Sequence, residues 1–271
     1  MKIFKNKINL IQELYKKKDI SFVPTMGSIH EGHLSLISKA TKESKNVLVS
    51  IYVNPKQFNS TKDFVKYPRN LIKDIKLLKK TKAKYLYIPD SGDIYSHKID
   101  TPIYLDKFSN KLCGKFRPNH FNGVINVVNR FLKIIKPRYI YMGQKDFQQL
   151  ALIKSHIAKN KIKTTVVSCP TIRARNGIAL SSRNIKLDKN QKKIASNIYK
   201  FLRDNKKNIL LKILNKKKIY VIDLIKKLGI NRIDYLECLN TKTLKSPKNI
   251  NENYNLFIAY HINNVRLIDN L

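Results

Sequence analysis

Acidic side chains are scarce in this chain: 18 Asp and Glu stand against 55 Lys and Arg among 271 residues, a formal net charge of +37. A field of that size attracts polyanions, so a nucleic-acid-binding protein is one reading of it. The lysines, however, run from Lys2 to Lys248 among Ile and Asn instead of gathering in one stripe. A binding surface should be clustered, so the spread points to a compositional bias filling solvent positions. Cysteine is also rare. Cys113, Cys169 and Cys238 are odd in number, far apart and without paired metal-type spacing, which argues against a disulfide framework and for reduced thiols in the cytoplasm. Only eight glycines occur, and none of their spacings matches the dinucleotide fingerprint or a lysine-bearing phosphate loop. That argues against hydride transfer and P-loop hydrolysis. Long apolar runs are missing as well: the longest, Val47 to Val53, is broken by Ser50 and is too short to span a bilayer, and the N-terminus alternates lysine with apolar residues. Neither a signal peptide nor a membrane anchor is expected.

What is present is an ordinary apolar share, 42%, enough for one large domain or two modest ones. The most informative stretch is Val23-Pro24-Thr25-Met26-Gly27-Ser28-Ile29-His30-Glu31-Gly32-His33. Ile20 to Val23 reads as a buried strand, Pro24 and Gly27 break it, and Leu34, Ile37 and Ala40 recur at helical spacing. A strand, a glycine-bearing turn and a helix entrance leave backbone N–H groups unpaired, which suits phosphate. His30 and His33 stand where ring nitrogens could donate to phosphoryl oxygens.

Around it the chain alternates. A first helix is expected over Asn9 to Lys18, and Val47 to Val53 reads as a second strand ending in Asn54-Pro55. A helix carrying Leu71, Ile75 and Leu78 precedes a strand over Tyr85 to Ile88, and Gly123 to Lys136 is a one-faced helix stopped by Pro137. Tyr139 to Met142 is a strand, Phe147 to Lys159 a helix and Thr164 to Ser168 a strand. This pattern implies an α/β fold with a parallel sheet covered on both faces, and ligands bind beyond the carboxyl ends of such strands. The polar motifs do follow the strands: His30 and His33, then Asn54 and Gln57, then Lys145 and Asp146, then Arg173 to Arg183. From about Asn176 the pattern changes to a helix near Asp188, a lysine-rich helical stretch to about Leu228, and strands over Arg232 to Leu239 and Asn255 to Ile262. Two domains are expected, 1–175 and 176–271, with a hinge near Arg175 to Gly177.

Each motif has a plain alternative. Two loop histidines are often surface residues, and a metal would need a third ligand. In Gly143-Gln144-Lys145-Asp146-Phe147-Gln148-Gln149, Lys145 could neutralise phosphate and Gln149 could meet a small polar substrate, or Asp146 could simply cap a helix. Leu180-Ser181-Ser182-Arg183-Asn184 offers hydroxyls and a guanidinium to phosphate, or is a basic linker. Asn54 and Gln57 could read a carboxylate or close a turn.

Together, however, Pro24-Thr25-Met26-Gly27 with His30 and His33, Val53 to Phe58, Tyr67-Pro68-Arg69, Arg117 to Phe121 with Gly123-Val124, Lys145-Asp146 with Gln148-Gln149, Ser181 to Asn184 and Arg266 to Asn270 resemble the pantothenate synthetase family, within the wider HxGH nucleotidyltransferase group. The resemblance implies a Rossmann-like domain with a smaller α+β lid, and an ATP-dependent ligase joining pantoate to β-alanine through a pantoyl adenylate, with Mg²⁺ accompanying ATP and a homodimer as the assembly. Carried over, Met26, Gly27, Ser28, Ile29, His30, Glu31, Gly32 and His33 form the ATP-binding turn, with His33 and His30 catalytic. Gly143, Gln144, Lys145, Asp146, Ile172, Leu180, Ser181, Ser182 and Arg183 supply the other ATP contacts, Lys145, Ser182 and Arg183 among the catalytic group. Gln57, Gln149 and Asn54 meet pantoate or β-alanine, and Asp74, after Tyr67-Pro68-Arg69, is the candidate metal ligand. The chain departs from the family at Gln144, Asn119 and Asn176, where acidic or small residues are usual. Another nucleotidyl transferase is the alternative within the wider group.

Because the charge reads as compositional, duplex DNA should bind weakly and the binding should vanish near physiological salt. An anisotropy titration across salt concentrations measures this; tight binding persisting there would make nucleic acid the partner.

Overall fold

A computed structural model describes residues 1–96 and 101–271. The chain divides into two compact units, Met1–Thr171 and Ile172–Leu271.

The first unit begins with β1 (Lys2–Phe4), α1 (Lys7–Leu14), β2 (Ile20–Thr25), α2 (Glu31–Glu43) and β3 (Asn46–Ile51). It continues through the short α3 (Thr61–Val65), then α4 (Leu71–Lys79), β4 (Tyr85–Tyr87), and the short α5 (Ser91–Tyr95) and α6 (Leu112–Phe116). It ends with α7 (His120–Ile135), β5 (Tyr139–Gly143), α8 (Phe147–Lys159) and β6 (Thr165–Cys169). The six strands form one parallel sheet in the order β1-β4-β3-β2-β5-β6. β2 and β3 are central and buried nearly throughout, which is why Ile20 to Val23 and Val47 to Val49 read as apolar runs with no alternation. On one face Val23, Val47, Val49 and Leu86 pack with Ile37 and Ala40 of α2 and Leu78 of α4. On the other, Phe131 of α7 meets Phe22 at 5.3 Å and Tyr87 at 6.1 Å between ring centroids. Neighbours in β2 thus point to opposite sides, as a pleated strand requires. The expected α/β fold with helices on both faces is the observed one.

Strand order reverses at β2, with β3 on one flank and β5 on the other, so the crevice beyond their carboxyl ends is the topological switch point. The turn after β2 and the turn after β5 therefore face the same crevice. β1 lies outside the sequence reading. Its three residues pair in parallel with β4, Lys2 opposite Tyr85 and Phe4 opposite Tyr87, and a strand that short leaves too little period to read.

The second unit carries α9 (Lys189–Asp204), α10 (Lys206–Leu214) and α11 (Lys218–Lys226), then an antiparallel sheet of β7 (Arg232–Leu239), β8 (Asn255–Ile262) and β9 (Val265–Asn270) in the order β7-β8-β9. Ile198, Leu202, Ile209, Leu210 and Ile225 of the helices close over Leu236, Leu256 and Ile258 of the sheet. The lysines of 206–218 thus sit on a helix pair whose other side is core, as expected of a solvated face. β9 was legible only as the motif Arg266 to Asn270; it pairs with β8 across Asn263-Asn264, where Asn263 takes the left-handed conformation (φ 49°) that tight hairpins need.

The units part between Thr171 and Ile172, four residues before the boundary expected from the change of element pattern. Arg173 explains the offset: its guanidinium meets the Asp269 carboxylate at 2.7 and 2.8 Å, donates to the Gly177 and Asn270 carbonyls, and stacks 4.3 Å over Tyr199. The segment from Arg173 to Ala179 is therefore bound into the second unit.

In the first unit, α7 is drawn against the turn that follows β3: a methyl group on Gly123 would lie 2.2 Å from the Lys56 carbonyl oxygen and 2.8 Å from Gln57 Cα. Gly123→Ala should destabilise the first unit by about 1–3 kcal/mol, because overpacking outweighs the better helix propensity of alanine. A lowered urea midpoint checks this; an unchanged or raised one would contradict the close approach.

Candidate active site

The turn after β2 is built from the inside outwards. Thr25 Oγ1 donates to the Ser50 carbonyl at 2.7 Å and accepts the Gly27 N–H at 3.1 Å, tying the strand end to β3. Gly27 (φ 76°) and Ser28 (φ 51°) are then left-handed in succession. A side chain at Gly27 would also lie 2.9 Å from Asp74 Oδ2, so both conformation and space demand glycine. Asp74, in the first turn of α4 and 2% exposed, accepts the Ser28 N–H on one oxygen and the Ile29 N–H on the other, each at 2.8 Å. Asp74, the expected metal ligand, thus clamps the turn with one amide on each carboxylate oxygen. Among the described residues no three His, Cys, Asp or Glu side chains are grouped to hold a metal ion.

His30 is the N-cap of α2, and its Nδ1 accepts the Gly32 N–H at 3.1 Å. The proton of the neutral ring is therefore on Nε2, leaving that edge as a donor. The His33 ring lies 4.0 Å from it, centroid to centroid, with Nδ1 buried and unpartnered among the described residues. Burial, followed by the Lys145 ammonium, pulls His30 down to about 4; burial, followed by His30, pulls His33 down to about 3, with Asp146 opposing in both. Both rings are thus neutral near pH 7. A helix entrance alone suggested backbone donors, yet the amides of Ser28, Ile29 and Gly32 are taken by Asp74 and His30.

After β5, Gln144–Asp146 form a 3-10 turn leading into α8. Gln144 is exposed, and Lys145 Nζ meets Asp146 Oδ1 at 3.1 Å. Asp146 makes no side-chain cap bond to α8, so the capping alternative does not apply. Gln149, on the first turn of α8, is half-buried and makes no side-chain hydrogen bond among the described residues, while neighbouring Gln148 is buried and bonded to Cys113, Phe108 and Lys111.

The turn after β3 presents Gln57, 8% exposed, whose Nε2 donates to Met26 Sδ at 2.7 Å. Asn54 is buried behind it. Its Oδ1 accepts from the Lys56 N–H and the Tyr95 hydroxyl, and its Nδ2 donates to the Gly123 carbonyl and, at 3.4 Å, to Gln57 Oε1. Asn54, expected at the substrate, lies beside Gln57 and also shapes the turn through these bonds. Sequence reasoning also passed over Arg117 and His120. His120 Nδ1 donates to the Gln57 carbonyl at 2.7 Å, joined by Arg117 Nη2 at 3.3 Å, and Arg117 Nη1 meets His120 Nε2 at 3.1 Å. Their motif was visible, but nothing in it says what it touches.

Met26 to His33, Gly143 to Asp146, Gln57 and Gln149 thus gather at the strand ends of the first unit. Ile172, Leu180, Ser181, Ser182 and Arg183 form a separate group in the second unit. There the Leu180 N–H bonds the Ile172 carbonyl at 2.9 Å, Ser181 and Asn184 cap a 3-10 turn reciprocally, and Arg183 Nη1 donates to the Arg266 carbonyl at 3.2 Å.

A switch-point crevice lined by two neutral imidazoles, a lysine and carboxamides defines a class: an α/β enzyme that handles a nucleotide phosphate together with a small polar substrate. Comparisons with known proteins narrow the class. The family model described as pantoate-beta-alanine ligase matches residues 2–271. A pantothenate synthetase of Thermodesulfovibrio yellowstonii is 40% identical over 264 residues, 95% of this chain and 92% of that protein. One from Clostridium botulinum is 38% identical over 267 residues, 97% and 95% of the two chains. Among solved structures, a Thermus thermophilus pantothenate synthetase superposes with a TM-score of 0.91 at 31% identity, covering 100% of this chain and 99% of that one. The Francisella tularensis pantoate-beta-alanine ligase, complexed with beta-gamma ATP and beta-alanine, gives 0.85 at 37%, covering 100% and 97%. The chain belongs to the pantoate-beta-alanine ligase family, and the activity that goes with that membership is the joining of pantoate and β-alanine.

The depressed imidazoles have a measurable consequence. A His whose folded pKa lies below its unfolded value makes the unfolded state bind more protons, so stability is full above about pH 6.5 and falls as pH drops towards 4. NMR of the ring nitrogens should show neither His30 nor His33 titrating between pH 5 and 8. A midpoint near 6.5 for both would refute the arrangement.

Proposed function

We propose that the reaction runs in two steps through a pantoyl adenylate, with ATP as the activating substrate. A pantoate carboxylate oxygen attacks the α-phosphorus of ATP, and the bond from that phosphorus to the bridging oxygen breaks to release pyrophosphate. No general base is required, since the nucleophile is already an anion. The amine of β-alanine then attacks the acyl carbon, AMP departs, and the amine nitrogen loses a proton as the amide forms.

The observation that carries this reading is the pair of neutral imidazoles beside Lys145. Neutral rings can approach a polyphosphate as N–H donors without the desolvation cost of a buried cation, and the Lys145 ammonium, paired with Asp146, stands beside them. Gln57, oriented from behind by Asn54, His120 and Arg117, and Gln149, with an uncommitted amide, suit the hydroxyl and carboxylate groups of pantoate or β-alanine. Ser182 and Arg183, with Ser181, Ile172 and Leu180, are assigned as further nucleotide contacts, and water must be kept from the mixed anhydride. Mg²⁺ enters with ATP as part of that substrate. The reading extends to a homodimer in the cytoplasm. Three free, buried cysteines agree with a reducing compartment, and Ile8 and Ile11, exposed on α1, with Tyr15 just beyond it, offer apolar surface for self-association.

The test is an AMP assay with each substrate omitted in turn. AMP should appear at full rate only with ATP, pantoate and β-alanine together, whereas a nucleotidyl transferase would retain the nucleotide in its product. In the same assay His33→Ala should lower turnover about 10²–10³-fold, the usual cost of one preorganised donor. Near-normal turnover would sink the assignment of His33.

A further inference from the structure

One buried group among the described residues is placed to control that chemistry. Asp74 belongs to α4, 45 residues beyond the turn it touches, and it supplies the turn with a carboxylate where a free nest of amides would otherwise receive an anion. Its two oxygens take two consecutive N–H groups, those of Ser28 and Ile29. Those amides immediately follow the left-handed pair Gly27 and Ser28 and immediately precede His30, the cap of α2. Ser28 has a side chain in a conformation that costs an L-residue about 1–2 kcal/mol, so the turn needs an external hold.

We propose that Asp74 is a positioning residue for adenylation: it occupies the anion seat of the turn as a resident carboxylate. The chain there is thereby fixed so that the His30 and His33 rings, and not the turn's backbone, meet the nucleotide phosphates. This rests on the reading of the two imidazoles as phosphate donors. The geometry bears on the chemistry through one short path. Releasing Ser28 and Ile29 frees the residues leading into the α2 cap, and with them the direction of the His30 Nε2 edge and of the ring stacked on it. A displacement of about 1 Å at reacting groups is enough to cost on the order of 100-fold in rate. A freed amide pair would also compete for the phosphate and draw it away from Lys145.

Removal of the side chain and its replacement by a small carboxylate separate positioning from simple folding. In Asp74→Ala, with a wild-type circular dichroism spectrum, kcat for pantoate-dependent adenylation, read as pyrophosphate release, should fall at least tenfold while KM for pantoate stays within twofold. Added formate should restore kcat saturably by refilling the seat. Asp74→Asn keeps the volume but turns one acceptor into a donor facing an N–H, so its kcat should fall as far and formate should not restore it. Asp74→Ala turnover within twofold of wild type, a loss that formate leaves untouched, or a fully active Asp74→Asn would each overturn the proposal. If Asp74→Ala does not fold, the kcat of Asp74→Asn decides alone. Wild-type enzyme run alongside isolates a failure of the adenylation reading itself, since that would show as no pyrophosphate release from any of the proteins.

Discussion

The pair of hydrogen bonds from the Ser28 and Ile29 amides to the buried Asp74 carboxylate is the constraint on which the first unit's site depends. A turn that carries a left-handed Ser28 after Gly27 is not held by its own propensities, because a left-handed conformation outside glycine opposes folding. Two charge-assisted bonds, each worth roughly 1.5–3 kcal/mol, outweigh that cost. The consequence runs forward along the chain. The turn delivers His30 as the cap of α2, capping uses His30 Nδ1, and the tautomer this leaves points a donor outward. His33, one turn of helix later, then stacks on His30 and leaves its Nδ1 without a protein partner among the described residues.

In the proposed reading, the same bonds shift phosphate recognition from main chain to side chain. Helix entrances usually offer amides to anions, and here those amides are answered from within. Two uncharged rings and one ammonium therefore take their place. Such a set favours charge that develops during reaction over charge already present, because neutral donors attract a resting polyphosphate less than a full cluster of cations would. The overall charge of +37 does not do this work, since it is spread over solvent positions and is screened by salt over about 8–10 Å.

Much of this was legible in the residues. The central strands announced themselves as β-branched runs, α8 as Phe147 to Lys159, and the site motifs by falling after strands. What escaped depends on partners distant in sequence. β1 is a strand only because Tyr85 to Tyr87 lie beside it, and the bond from Asn54 to Gly123, 69 residues on, leaves no trace in its own segment. Asp74 stands out in the sequence for its charge but not for its use; a carboxylate that binds metal and one that binds amides look alike without the fold. His120 and Arg117 form a pattern without a visible role, since the Gln57 carbonyl they hold belongs to the main chain.

Scarcity of acid sharpens the dependence. With so few carboxylates, those the fold buries are each tied to a defined set of donors: Asp234 to Arg232, His261 and Arg266, Asp269 to Arg173, and Asp74 to two amides. Breaking such a group by removing one partner usually costs more than the group contributes, because the donors left behind remain desolvated and unanswered. In a chain of balanced composition a neighbouring Asp or Glu could swing in to relieve them. Here the residue before Asp74 is Lys73, which cannot accept the orphaned amides. The compositional drift that made the surface basic has thereby left the active-site turn reliant on one carboxylate.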